Sequence, residues 1–133
     1  MTMPEDIAFY LRDCGMGVYE SEGISTISIG GFKEYYENNI TLFQYAGFPP
    51  LLKQLDTIEH LSLQILTRDL VYVNSLELIE KITRILDQTR PTINGTFYPL
   101  IMANQSPFFM ELTENEHYIF GVNLSVARRY TED

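Results

Sequence analysis

The chain has 133 residues and carries 9 Lys and Arg against 18 Asp and Glu, a formal charge of −9 at pH 7 with both histidines neutral. At 45 % hydrophobic residues, a chain this long buries roughly two-thirds of the surface it exposes when unfolded, which excludes intrinsic disorder and removes the need for disulfide or metal staples. A pI near 4.6 excludes a protein whose affinity comes from neutralising phosphates, and the single cysteine, Cys14, excludes an intramolecular disulfide.

The chain opens as a helix. Thr2 and Glu5 have capping-box spacing and Pro4 is tolerated in a first turn. Met3, Ile7, Tyr10, Leu11 and Cys14 form one apolar stripe at helical spacing, and Gly15 supplies the stop. Cys14 is accordingly expected in the core as an inert thiol. Residues 24–29 and 40–45 are strand candidates. In the next segment Leu61, Leu63 and Ile65 alternate with His60, Ser62 and Gln64, the period of a half-buried strand.

A second helix is predicted over residues 69–88. Val71, Tyr72, Leu76, Leu78, Ile79, Ile82, Ile85 and Leu86 take one half of its cylinder, and Asn74, Glu77, Glu80, Lys81, Arg84 and Asp87 the other; Val73 alone breaks the pattern. Glu77 with Lys81 and Glu80 with Arg84 are i,i+4 pairs worth about 0.3 to 0.5 kcal/mol each, the signature of a solvated face. Pro91 is expected to end the helix. Beyond it, Asn94-Gly95 favours a type I′ hairpin turn, residues 96–103 form a strand candidate, and Tyr118, Phe120, Val122, Leu124 and Val126 alternate with Ile119, Gly121, Asn123 and Ser125.

This order predicts a single α+β domain over residues 1–133, a mostly antiparallel or mixed β-sheet with two α-helices packed on one face. The other face carries Ser62, Gln64, Asn123 and Ser125, open to water or to a partner. Two stretches, residues 30–39 and 46–57, fit neither period. Their Phe32, Tyr35, Tyr36, Phe48, Leu51 and Leu52 either fold back on the domain or meet another chain.

Catalytic chemistry needs convergent groups, and the sequence offers few. It has no Gly-rich phosphate loop, no His pair at i,i+4, no Gly-x-Ser-x-Gly elbow and no carboxylate cluster with metal-ligand spacing. His60 belongs to a polar strand face, and His117 follows the turn-like Glu114-Asn115-Glu116. The pairs Glu20/Glu22 and Glu114/Glu116 read as hydrated turn residues. No catalytic residue, cofactor-binding residue or metal ligand is assigned, and no cofactor is expected. Apolar runs such as residues 98–103 fall far short of the roughly 20 residues a membrane helix requires. Glu5 and Asp6 stand where a signal peptide would be basic, so a soluble intracellular protein with no membrane partner is expected. Arg84, Arg90 and the lone pair Arg128-Arg129 form no basic stripe. An acidic protein that merely surrounds DNA is a different case, because a negative lining keeps the duplex from adhering.

Several segments, in order, resemble one family. They are the opening helix ending at Gly15, Ile29-Gly30-Gly31 with an acidic loop, the run from Ile40 to Gly47, and the strand leading into Arg68-Asp69 before the long helix. Gln105-Ser106-Pro107-Phe108-Phe109 and the closing run from Phe120 to Val126 complete the set. The sequence is similar in these to the small minor capsid and tail terminator proteins of long-tailed bacteriophages. Ala46 departs from the expected pattern beside Gly47, and the segment at Phe48-Pro49-Pro50-Leu51-Leu52 is richer in leucine.

The resemblance implies a structural, non-enzymatic virion protein at the neck or tail end, assembled in the host cytoplasm. It implies a homo-oligomer, usually a six-membered ring, that caps the tail tube and joins it to the head connector. Partners would be copies of itself, the tail tube protein and a head completion protein, with DNA only passing through the lumen. Phe32, Tyr35, Tyr36, Phe48, Leu51, Leu52, Gln64 and Asn123 are the candidate partner or oligomer interface. The rival readings are another phage neck or minor capsid joining role, a small-molecule-binding α+β regulatory domain, and a hydrolase using loop carboxylates.

Overall fold

The computed structural model describes residues 1–19, 26–33, 39–45 and 58–129. Helix α1 spans Met3–Asp13 and starts with a reciprocal capping box. The Glu5 backbone N–H donates to Thr2 Oγ1 (3.4 Å), while Glu5 Oε1 accepts from the Thr2 N–H (3.1 Å) and hydroxyl (2.7 Å). These bonds hold the Glu5 carboxyl below its ordinary pKa. Thr2→Ala is expected to cost about 1 kcal/mol, read as a fall of a few degrees in Tm.

Met3, Ile7 and Leu11 are fully buried along one stripe, and Gly15 adopts φ +82° just past the helix, as the spacing predicts. The expectation for Cys14 is corrected: its thiol is exposed. The helix ends at Asp13, so Cys14 is the C-cap and the stripe stops one residue short of it.

The strands are β1 (Ile27–Ile29), β2 (Asn39–Tyr45) and β3 (Ile58–Asp69); helix α2 (Tyr72–Leu86) follows, then β4 (Thr92–Ile93), β5 (Thr96–Phe97), β6 (Leu100–Ala103), β7 (Phe108–Leu112) and β8 (Tyr118–Arg129). The main sheet runs β1-β2-β3-β8-β6, with β7 pairing the other half of β8. β1 and β2 are parallel, and every other pair is antiparallel. β3 and β8, twelve residues each, pair along their whole length from Ile58↔Arg129 to Asp69↔Tyr118. The fold is α+β.

Ile40, Leu42, Leu63, Ile65, Ile101, Phe120, Val122, Leu124 and Val126 point to one face of this sheet. There they join Met3, Ile7 and Leu11 of α1 and Ile79, Ile82 and Leu86 of α2 in one buried cluster. Both helices therefore cover the same face.

The boundaries of α2 and of the 96–103 strand differ from the sequence expectation, and β7 was not expected. α2 starts at Tyr72, because the backbone stays in β3 through Asp69, whose Oδ1 then accepts from the Val71 N–H (2.8 Å). It ends at Leu86, before Pro91 acts, and Gln88 turns away at φ +60°. Residues 96–103 are divided by Tyr98-Pro99 into β5 and β6, since a proline cannot donate to the ladder. The Asn94-Gly95 turn is as expected, with φ +50° and +82°.

Two polar contacts tie the layers together. Thr67 Oγ1 donates to the Ser75 carbonyl (3.0 Å) and lies 3.0 Å from its hydroxyl, pinning the first turn of α2 to β3. The fully buried Tyr98 donates its phenol to Asp6, itself buried, whose other oxygen accepts from Asn94 Nδ2 (3.1 Å). Burial first, then the Asp6 bond and charge, raise the Tyr98 pKa above its ordinary value near 10, against a smaller opposing pull from Arg128.

The folded state thus keeps a proton that the unfolded chain loses near pH 10. The contribution is complete below pH 10 and is lost as pH rises beyond it, at up to about 1.4 kcal/mol per pH unit. Tyr98→Phe is expected to cost about 1 to 3 kcal/mol at neutral pH and to flatten this alkaline slope. Urea melts from pH 8 to 11 measure both, with Tyr10 and Tyr19, also raised by burial, supplying the residual slope.

Candidate functional site

The sheet face away from the helices is laid out in rows by the register. Tyr45, Ser62, Ser125 and Met102 form one row, Phe43, Gln64 and Asn123 the next, and Thr41, Leu66, Gly121 and Phe108 the third. The first two rows carry polar pairs: within the second, Gln64 Nε2 donates to Asn123 Oδ1 (3.1 Å), and from the first, Ser125 Oγ donates to Asn104 Oδ1 (2.8 Å) beyond the end of β6.

In the third row the apolar side chains of Leu66, Met110 and Phe108 close over Gly121, which has no side chain to keep them apart. A Cβ there would lie 2.8 Å from Leu66 Cδ2, 3.0 Å from Met110 Sδ and 3.4 Å from Phe108 Cζ. The face is therefore half polar and half apolar, more hydrophobic than the alternation of β3 and β8 implies.

One corner of the face is closed by the segment after β1. Arg68 donates from Nη2 to the Lys33 carbonyl (2.6 Å) and lies over the Phe32 ring at 4.7 Å. Asn39 Nδ2 donates to the same carbonyl (3.1 Å), and the Gly31 N–H donates to Thr41 Oγ1 (2.9 Å). Phe32 is thereby half-buried beside β3. Gln64 and Asn123 are brought together in the middle of the face. Tyr35, Tyr36, Phe48, Leu51 and Leu52 lie outside the described residues.

Sequence reasoning missed a second surface. At the start of α2, Leu70, Val71, Tyr72 and Val73 are all exposed, Val73 by 54 %. The Tyr72 ring meets Phe109 (6.1 Å), Tyr118 (5.5 Å) and Phe120 (4.9 Å), so this cluster continues onto β7, where Phe109 and Leu112 are about half exposed. The signal was in the chain: residues 70–73 are apolar on every side, and Val73 broke the helical pattern.

Among the described residues no group of three or more His, Cys, Asp or Glu could hold a metal ion, and no helix is long and apolar enough to cross a membrane. A recess between Met16, Thr26, Asn39, Ile40 and Leu78 has a volume near 40 Å³, far below the roughly 300 Å³ at which small-molecule sites begin. His60 is exposed on the open face and His117 closes the β7–β8 hairpin, where its N–H donates to Thr113 Oγ1 (3.1 Å).

The described residues present a half-polar sheet face and an exposed aromatic cluster. No curated protein matches the chain. A family model described as "Bacteriophage tail terminator protein" matches residues 10–130, a span that takes in every strand of the sheet and all of α2. The chain belongs to the bacteriophage tail terminator family, a family of structural phage proteins.

Proposed function

We propose that copies of this chain close into a six-membered ring that seats on the last disc of the tail tube, stops its growth and presents a surface to the head completion protein. The role is steric, without catalysis. The observation that carries the reading is the family match over residues 10–130. The exposed apolar surface at Tyr72, Phe109 and Leu112 supports it, since patches of this kind mark contacts with other chains.

Phe32, Gln64 and Asn123, with Tyr35, Tyr36, Phe48, Leu51 and Leu52, are assigned to contacts within the assembly. The ring belongs to the virion, at the neck or tail end, and assembles in the host cytoplasm. Its lumen passes DNA, and the surplus of nine acids keeps the duplex from adhering. Purified protein added to polymerising tube protein tests this. Rings at one end of shortened tubes, seen by negative-stain microscopy, are the expected result; tubes of unchanged length with no protein bound would overturn the reading.

A further inference from the structure

The long strand β8 is shared by two short strands on one edge: β6 pairs with residues 124–127 and β7 with residues 118–121. At about 3.3 Å per residue, the two pairings are centred roughly 20 Å apart along that edge. Their outer sides differ. The edge of β6 is occupied, because the Gln88 N–H donates to the Ile101 carbonyl (2.6 Å), the Ile101 N–H to the Thr89 carbonyl (3.0 Å) and the Ala103 N–H to Asp87 Oδ1 (2.8 Å). β7 pairs with β8 alone among the described strands, and its Phe109, Met110 and Leu112 are exposed.

The charges differ as well. Residues 108–119 contain Glu111, Glu114 and Glu116, all exposed, and no Lys or Arg. At the opposite end of the edge, Arg84 and Arg90 are exposed, and Arg129 is exposed with its guanidinium 5.1 Å over Phe97. Two acids described nearby are engaged: Glu59 holds Arg128 at 2.5 Å, and Asp87 holds the Ala103 N–H. Beside these arginines Leu100 and Met102 are exposed. One edge thus carries an acidic apolar end and a basic apolar end.

We propose that the β7–β8 hairpin of one copy docks, through Phe109, Met110 and Leu112, on the Leu100–Met102 end of a second copy, with its three glutamates facing Arg90 and Arg129. A ring joins subunits head to tail through two different patches, and complementary charge sets their register. This seam rests on the ring reading and names its contact. The occupant is another copy because the charges required to meet the hairpin stand on the same chain.

The test uses two charge-reversed proteins and their combination: Glu111→Lys with Glu114→Lys and Glu116→Lys, and Arg90→Glu with Arg129→Glu. These side chains are exposed, so far-ultraviolet circular dichroism and Tm should match the wild type. Light scattering after size exclusion reads the assembly. Each reversed chain alone should need at least about tenfold more protein to assemble, whereas the chain carrying both reversals, or an equimolar mixture of the two, should assemble like the wild type. Reversed chains that still form wild-type rings overturn the seam and leave the ring reading standing. Loss in both without rescue by the combination also overturns the seam. A wild type that stays monomeric at every concentration and on tubes overturns the ring reading, and the seam with it.

Discussion

Ile79→Asp is expected to leave the protein unfolded. Ile79 is fully buried on the face of α2 that meets β3 and β8, in line with Ser75, Ile82 and Leu86. The substitution removes an apolar side chain worth about 1.5 to 3 kcal/mol of burial and puts a carboxylate where it has no partner, at a further cost of several kcal/mol. Together these equal about 5 kcal/mol or more, comparable to the whole stability of many domains. Circular dichroism should show lost cooperativity, and the protein should fail to assemble. A cooperative melt within a few degrees of wild type would mean that α2 does not seal the core.

Asp6→Ala should be the next most damaging change, at about 2 to 4 kcal/mol. Its carboxylate joins α1 to the β4–β5 turn through Asn94 and to the segment before β6 through Tyr98. Without it the buried phenol loses its acceptor, and the contact between α1 and β4 loosens. Asp6→Asn keeps an acceptor for Tyr98 and should cost less. Combining Asp6→Ala with Tyr98→Phe should cost at least about 1 kcal/mol less than the sum of the separate changes, because the two groups serve each other. Urea midpoints of the four proteins measure this coupling, and strict additivity would show that the bond carries no stability.

Features set by neighbouring residues were legible in the sequence. The capping box of Thr2 and Glu5, the Asn94-Gly95 turn and the alternation along β3 and β8 depend on residues within a few positions of one another, and each appears in the structure as the pattern requires. What the pattern could not show depends on distant partners. Asp6 and Tyr98 stand 92 positions apart, and nothing local marks either as half of a pair. Cys14 shared the phase of a buried stripe, but the helix stopped before it. The expected start of the second helix at Asp69 was still strand, and Leu70-Val71 form a bend before Tyr72, because the apolar run of residues 70–73 suits more than one conformation.

For the candidate surface, Gln64 and Asn123 were legible as polar positions on one face, and their mutual bond follows from the register. The Tyr72–Phe109 surface was not, since it is assembled from the start of a helix and an edge strand that only the fold brings together. A bulge between Phe109 and Glu111 adds a residue to β7, so the simple alternation that would have marked its faces is broken there.

The most direct test of the central claim is electron microscopy of lysates from a phage that lacks this chain alone. In the proposed reading, a ring on the end of the tube removes the surface on which the next disc would add, so its loss should yield heads without tails beside tubes far longer than normal, and supplying the wild-type chain should restore joined particles. Tails of normal length, firmly attached to heads, would contradict the account.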